Sequence, residues 1–460
     1  MQNENFASLL NKQKDFFLSG VTKNIDFRIE TLRKLKSIIK DYEQEILEAI
    51  YLDLHKTTMD GYATEIAGVY DEINYAISNI RKWAKEEKVK TPLFLFPSKS
   101  YLYREPYGSA LIIAPWNYPF QLLTLPLAGA IAAGNTAILK PSEISAHTAA
   151  VVQKIINENF PEEYIHALSG SAAETQALVN LPFDHIFFTG SPAVGKAIMS
   201  AASNNLVPVT LELGGKSPAV VHADANVTLA ARKIAWGKFI NAGQTCIAPD
   251  YALVDASIKE EFLAEIKKAI REFYGEDPYA HPRYCRIINE RHFQRLTGLL
   301  EGTNIFSGGK TISAERYIEP TVIYPAKWQE PIMQEEIFGP LLPVLVYSDI
   351  QEAIKKIRQL PKPLSLYLFT DNKIIQKKII SDISFGGGAI NNTIFHIVSH
   401  FMPFGGVGAS GMGSYHGRAS FETFSHTKSI LKSSSRLDPL SATYPHRKYL
   451  LKIIKKIIGE

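Results

Sequence analysis

The chain is nearly without cysteine: Cys246 and Cys285 are the two thiols among 460 residues. Two thiols cannot build the disulfide framework of a small secreted fold, so a reducing, cytoplasmic setting is expected. Long apolar runs are missing as well. The strongest candidate, LLTLPLAGAIAAG from Leu122 to Gly134, falls short of the roughly 18 residues a membrane-spanning helix needs and contains Pro126. The opening MQNENFASLLNKQKDFF has no cationic start followed by an apolar stretch, so no signal peptide is expected. Neither sign of charge dominates. The 50 Lys and Arg against 46 Asp and Glu leave +4, too little over this length to argue for nucleic acid. His396 and His400 can share a helix face, but no cysteine or third ligand at a recognised spacing joins them. They are expected to be surface or pocket-lining histidines, and no metal is expected.

What is present suits a soluble globular chain, with 46% hydrophobic and 21% charged residues. Its length allows more than one core. Residues 1 to about 85 show helical periodicity with charged faces, as in RIETLRKLKSIIKDYEQEILEAIYLDL from Arg28 to Leu54. From Tyr107 the texture changes to short apolar runs closed by Gly, Pro or Asn, each leading into a helix-like stretch. GSALIIAPWNYP, NTAILKPSE, FDHIFFTGSPAVGK and VPVTLELGGKSP read as buried strands that end in functional turns. DYALVD, LLPVLVYSD and SLYLFT continue the pattern further on. Such alternation predicts α/β architecture with parallel, doubly wound sheets, in two domains that meet near residue 210. Ligands then belong at the carboxyl ends of the strands. The last stretch, RKYLLKIIKKIIGE, sets Leu450, Ile453, Ile454, Ile457 and Ile458 in a stripe among lysines. A basic amphipathic helix of this kind can lie on an anionic membrane. A tail docked on the protein itself or on a partner subunit is the favoured reading.

Cys246 sits in NAGQTCIAPDY, a polar setting unlike the apolar run that surrounds a structural thiol. An unperturbed thiol of pKa about 8.5 is only ~3% thiolate at pH 7, so a nucleophilic role requires activation. Asn117 in PWNYP is fixed between two prolines, where its amide can donate to a developing oxyanion. Glu212, inside the apolar run LELGGKSP, needs a partner or a raised pKa, which suits a general base. Gly190 and Gly195 in FFTGSPAVGK flank the turn from a strand into a helix, where backbone can approach a phosphate. Alone that spacing is weak, being neither the G-x-G-x-x-G fingerprint nor a P-loop. Lys140 and Glu143 of ILKPSE can grip ribose hydroxyls, although a solvated pair at a strand end would be the better reading in isolation. EEIFGP adds Glu336 and Phe338.

Taken together, PWNYP, KPSE, FTGS…VGK, LELGGKSP, GQTC, EEIFGP and PFGGVGASGMGSYHG make the chain resemble the NAD(P)-dependent aldehyde dehydrogenases from about residue 50 to residue 431. The SGMGSYHG…SFETFSH ending is most similar to the class 3 branch, which acts on medium- to long-chain aliphatic and aromatic aldehydes. The resemblance implies that Cys246 attacks the aldehyde carbon, with Asn117 and the Cys246 backbone N–H holding the oxyanion. It implies that Glu212 activates the water that hydrolyses the resulting thioester. Glu336 would hold the nicotinamide ribose beside Phe338. Lys140 and Glu143 would contact the adenosine ribose, Gly190 and Ser191 would lie along the pyrophosphate, and Gly195 is also expected among the cofactor-binding residues. The expected cofactor is NAD, with NADP possible, since Glu143 disfavours a 2′-phosphate.

The same resemblance divides the chain. Residues 1–83 and 104–209 would form the dinucleotide-binding domain and 210–400 the catalytic domain. Residues 84–103 and 401–431 would form an oligomerisation element, and 432–460 the tail. KTPLFLFPSKSYLYREP resembles the strand extension through which relatives dimerise, with Phe94, Leu95 and Phe96 on an edge that needs covering. Two positions depart from the family pattern: Pro192 after Gly-Ser, expected to stiffen the phosphate turn, and Cys285 where glycine is usual. Three rival readings are an acyl transferase to coenzyme A, disfavoured by Glu212, a non-catalytic relative, disfavoured by the intact set of site residues, and a membrane-recruited protein acting mainly through its tail.

Overall fold

The computed structural model describes residues 2–437 and, beyond them, 452, 455, 456 and 459. The N-terminal part is helical, as its periodicity predicts: Gln2–Leu18, Ile25–Asp41, Glu43–Leu54 and Ala67–Trp83. The helix Ile25–Asp41 is typical of the group. Asn24 caps it by accepting from the Asp26 N–H, and it buries Ile29, Leu32, Leu35, Ile38 and Ile39 on one face. Before Ala67 the chain winds through a π-helical turn, Tyr62–Ile66.

A six-stranded sheet follows, in the spatial order Gly411–Met412, Val209–Glu212, His185–Thr189, Ser109–Ile113, Thr136–Lys140 and Ile165–Ala167. All neighbours are parallel except the short Gly411–Met412 edge. Both faces are covered, which is why these strands read as unbroken apolar runs. Ile112, Leu139 and Phe187 enter one core, while Leu111, Ile138 and Phe188 enter another on the opposite face. Leu213–Ser217 then carries the chain from Val209–Glu212 directly into Pro218–Val221 of a second sheet. That sheet has seven strands, ordered Ile305–Ser307, Thr321–Ile323, Leu341–Tyr347, Tyr251–Asp255, Pro218–Val221, Ser365–Phe369 and Gly387–Ile390. It is parallel apart from Ile305–Ser307. Two doubly wound parallel sheets are therefore joined at a short crossing beside Glu212.

A separate antiparallel sheet of three strands, Glu87–Val89, Lys99–Pro106 and Ser425–Lys432, projects from this body. Its strand Ser425–Lys432 pairs along its whole length with Lys99–Pro106 and is exposed on from His426. The apolar segment Leu93–Leu95 is a 3₁₀ turn and not part of a strand, because Pro92 and Pro97 flank it and supply no ladder donors. The apolar stripe of the tail, from Leu450 to Ile458, lies outside the described residues. No helix of the described residues is long and apolar enough to cross a membrane.

Candidate active site

Cys246 follows the helix Val227–Phe239 and a tight reversal at Ile240–Gly243. Asn241 and Ala242 take left-handed backbone angles, φ 52° and 51°, and Gly243 continues the reversal at φ 74°. Gly243 is required for a second reason: a Cβ there would lie 2.2 Å from the Gly339 carbonyl oxygen. The reversal is then pinned by Gln244, whose amide donates to the carbonyls of Asn241 at 3.1 Å and Arg286 at 3.0 Å and accepts from the Ile288 N–H at 3.0 Å. The Thr245 hydroxyl hydrogen-bonds the Tyr118 phenol at 2.7 Å. Cys246 thus arrives, partly exposed, on a segment fastened at each preceding residue. Burial pushes its thiol up to about 12, and the carboxyls of Glu336 and Glu212 push the same way. The backbone N–H groups of Cys246 and Ile247 act oppositely, favouring negative charge at the sulfur.

Asn117 is carried by the turn after the strand Ser109–Ile113 and is 2% exposed. One of its amide N–H groups donates to the Gln244 carbonyl at 3.0 Å. A primary amide has two such donors, which leaves one for a ligand oxygen. The backbone carbonyl of Asn117 accepts from Lys56 Nζ at 3.1 Å and Asn241 Nδ2 at 2.9 Å, so both its lone pairs are occupied. Glu212 ends the strand Val209–Glu212 and is 2% exposed. Neither carboxyl oxygen has a partner among the described residues. Burial alone raises its pKa well above the carboxylate range, which favours the protonated carboxyl over the charged one. The first sheet therefore supplies an amide and a carboxyl to the same place to which the second delivers a thiol.

Lys140, Glu143, Gly190, Ser191 and Gly195 lie at or beyond the carboxyl ends of strands in the first sheet. Lys140 is almost fully buried and donates to the Pro141 carbonyl at 2.9 Å. Its ammonium lies 3.6 Å from the half-exposed Glu143 carboxylate. Gly190 follows the strand His185–Thr189, where a Cβ would sit 2.4 Å from the Phe188 ring. Ser191 caps the helix Pro192–Ser203 by accepting from the Val194 N–H. Pro192 occupies the first helical position, where a missing N–H costs nothing, so the departure from the family pattern is conformationally neutral. Gly195 is buried, and a Cβ would meet Leu213 at 2.8 Å. Its evident work is close packing of the helix on the strand.

Glu336 lies against the crossing between the sheets, and a Cβ on Gly214 would come within 2.0 Å of its Oε2. Burial raises its pKa to about 8, with Asp250 adding to the effect. The loop around it is held by residues the sequence reading passed over. Lys216 pairs with Asp250 at 2.5 Å and donates to the carbonyls of Ile332 and Glu335, both at 2.9 Å. Asp250 accepts the Ile337 N–H at 2.9 Å. Arg295 closes the outer side on the Ile337 carbonyl at 2.5 Å. Phe338 adopts φ 48° and meets Trp116 edge to face at 5.3 Å. Lys238, fully buried and without a hydrogen-bond partner among the described residues, completes this charge cluster; burial lowers its pKa to about 8. A lysine inside the apolar helix IAWGKF was the available signal for it.

The two histidines do not share a helix face. His396 lies in the short turn Phe395–Val398 and bonds Ser365 at 3.3 Å, whereas His400 turns to Asp71 at 2.7 Å. The turn is too short to bring them together. Cys285 is buried, with its thiol pushed up to about 12, and borders a cavity of about 210 Å³ shared with Lys56 and Asn241.

Residues 15–430 match the profile of the aldehyde dehydrogenase family. The chain is 53% identical to 4,4'-diaponeurosporen-aldehyde dehydrogenase of Staphylococcus aureus, over 92% of this chain and 93% of that protein. It is 45% identical to the dimeric NADP-preferring aldehyde dehydrogenase of Mus musculus, over 96% and 98% of the two chains. The substrate-bound structure of Staphylococcus aureus AldH superimposes with a TM-score of 0.96 at 51% identity, covering 98% of this chain and 99% of that one. An indole-3-acetaldehyde dehydrogenase complexed with NAD+ gives a TM-score of 0.85 at 27% identity, covering 94% and 89%. Its length, its two parallel sheets and its sequence together make this chain a member of the aldehyde dehydrogenase family, most similar to its class 3 branch, and an oxidoreductase that uses NAD(P).

Proposed function

We propose that the chain oxidises an apolar aldehyde, aliphatic of medium to long chain or aromatic, through a covalent adduct on Cys246. The observation that carries the reading is the meeting of a thiol, a free amide N–H and an unpartnered buried carboxyl at the junction of two sheets. Cys246 releases its proton to solvent water as its sulfur bonds the aldehyde carbon. Asn117 and the Cys246 N–H receive the oxyanion, charge that develops only as the bond forms. NAD(P)+, held by Glu336, Phe338, Lys140, Glu143, Gly190 and Ser191, would supply the hydride acceptor that lets the oxyanion adduct become an acyl thioester. Glu212, once deprotonated, takes a proton from water, and the hydroxide attacks the thioester and frees the acid and the thiol.

The cofactor assignment rests on the fit of its donor set. Glu336 offers a buried carboxyl for the nicotinamide ribose beside Phe338, and Lys140 with Glu143 offers one donor and one acceptor to the adenosine ribose. Gly190 and Ser191 open a helix N-terminus toward the pyrophosphate, with Gly195 letting that helix pack close. Residues 1–83 and 104–209 serve this role and 210–400 carry the thiol. Residues 84–103 with 401–431 pair two copies through the projecting sheet, in a homodimer located in the cytoplasm. The tail 432–460 docks on the assembly. Deleting residues 440–460 is the check: membrane partitioning that falls with the deletion would assign the tail to a bilayer instead.

The substrate class is tested by following reduced nicotinamide with NAD+ and with NADP+ over a chain-length series of aliphatic aldehydes plus benzaldehyde. Turnover that rises with apolar chain length supports the reading, and silence across the series with both cofactors defeats it. The ribose assignment makes its own prediction. Gly214→Ala is expected to displace the Glu336 carboxylate and to slow hydride transfer by about 10-fold or more, the order of effect that misplacing a reacting group produces. Single-turnover kinetics and a cofactor titration check it, and wild-type values in both would remove Glu336 from the role.

A further inference from the structure

The turn that carries Asn117 leads into the helix Gln121–Ala133, whose start has no side-chain cap of its own. The N–H groups of Phe120 and Gln121 donate instead to Oε2 of Glu65, at 3.2 and 3.0 Å. The other oxygen of Glu65 accepts from Lys56 Nζ at 2.6 Å, and Lys56 also donates to the Asn117 carbonyl at 3.1 Å. One ion pair therefore grips both ends of the segment from Asn117 to Gln121. The Lys56 ammonium further lies 3.9 Å from the centre of the Tyr118 ring, whose hydroxyl holds Thr245 next to Cys246. Glu65 points into this space from the π-helical turn Tyr62–Ile66, a local insertion that re-aims side chains and recurs at functional sites.

Both side chains are buried, 2% and 0% exposed. Well-packed apolar residues of similar volume commonly match or exceed the stability of such a desolvated pair, so stability gives no account of it. Its geometry does. Lys56 and Asn241 on the Asn117 backbone carbonyl hold the peptide plane from which the side chain departs, and the Gln244 carbonyl then holds one N–H of the amide itself. The cavity of about 210 Å³ bordered by Lys56 and Asn241 leaves room for the turn to relax if that grip is lost.

We propose that the Lys56–Glu65 ion pair is a positioning device that fixes the direction of the Asn117 amide toward the reacting oxygen. The inference rests on the oxyanion role proposed for Asn117, and the test separates the two. The full-length chain is prepared as Lys56→Met/Glu65→Gln, a neutral pair of similar shape, in the wild-type and the Asn117→Ala backgrounds. Single-turnover hydride transfer and NAD+ affinity are measured on each. The paired replacement is expected to slow hydride transfer by about 10- to 100-fold, part of the roughly 10²–10³ that one oxyanion donor contributes. NAD+ affinity should stay within about 3-fold, and the further loss in the Asn117→Ala background should be under about 3-fold, because the two changes act through one group. Equal fold losses in both backgrounds, or a parallel collapse of NAD+ affinity, would overturn the positioning role alone. Asn117→Ala with wild-type hydride transfer would overturn the oxyanion assignment and the positioning role with it. Should the paired variant fail to fold, Lys56→Arg decides. It keeps the charge on Glu65 but not the single-point donor geometry, and unreduced hydride transfer would sink the proposal.

Discussion

Replacing Cys246 by alanine is expected to lower aldehyde turnover by about 10⁴-fold or more while NAD+ still binds, because the variant loses the covalent step and none of the cofactor's donors. Cys246→Ser should recover little, since a hydroxyl is far harder to ionise than a thiol. The resting thiol is itself not an anion: burial and the carboxyls of Glu336 and Glu212 hold it at about 12. Deprotonation must therefore accompany attack, assisted by the N–H groups of Cys246 and Ile247. Initial rates with each variant, beside a cofactor titration, make the check. Retained turnover in Cys246→Ala would end the covalent mechanism.

How much of this was readable in the chain follows from what each residue does. Residues at the ends of buried strands announced themselves as polar letters after apolar runs. In this way Asn117, Lys140 and Glu212 were all marked by position. Cys246 was marked by scarcity. Residues that hold these in place were silent, because their partners lie far off in the chain: Lys56 reaches Asn117 across 61 positions, and Lys216 reaches Glu335 across 119. Nothing local distinguishes Lys56 in DLHKTT from a solvated lysine. The π-helical turn that aims Glu65 was also hidden, since one extra residue in a single turn barely disturbs a helical period. Prolines explain the segment misread as an edge strand at Leu93–Leu95: its composition favours strand, but the flanking residues deny it a ladder.

Glu212→Gln is expected to separate the two halves of the reaction. Thiol addition and hydride release should continue, giving a rapid burst of reduced nicotinamide of about one equivalent per site, while hydrolysis slows by about 10²–10⁴-fold with loss of the base. Mass spectrometry should then find the acyl group on Cys246. A steady rate equal to wild type would exclude Glu212 as the base. The pH profile carries the same logic. A base works only when deprotonated, and burial has raised the Glu212 pKa, so wild-type hydrolysis should climb as pH rises through that raised value. The climb should vanish in Glu212→Gln. Stability should move the other way. Above pH about 4.5 the unfolded chain releases the Glu212 proton, while the folded chain keeps it until its raised pKa is passed. The folded state then binds more protons, and its stability falls as pH increases across that window. Gln fills the same place without this penalty, so the variant should melt at a higher temperature than wild type near neutral pH, by a margin that widens with pH. An enzyme that gains stability on losing a carboxyl is one whose fold bears that cost for the sake of its chemistry.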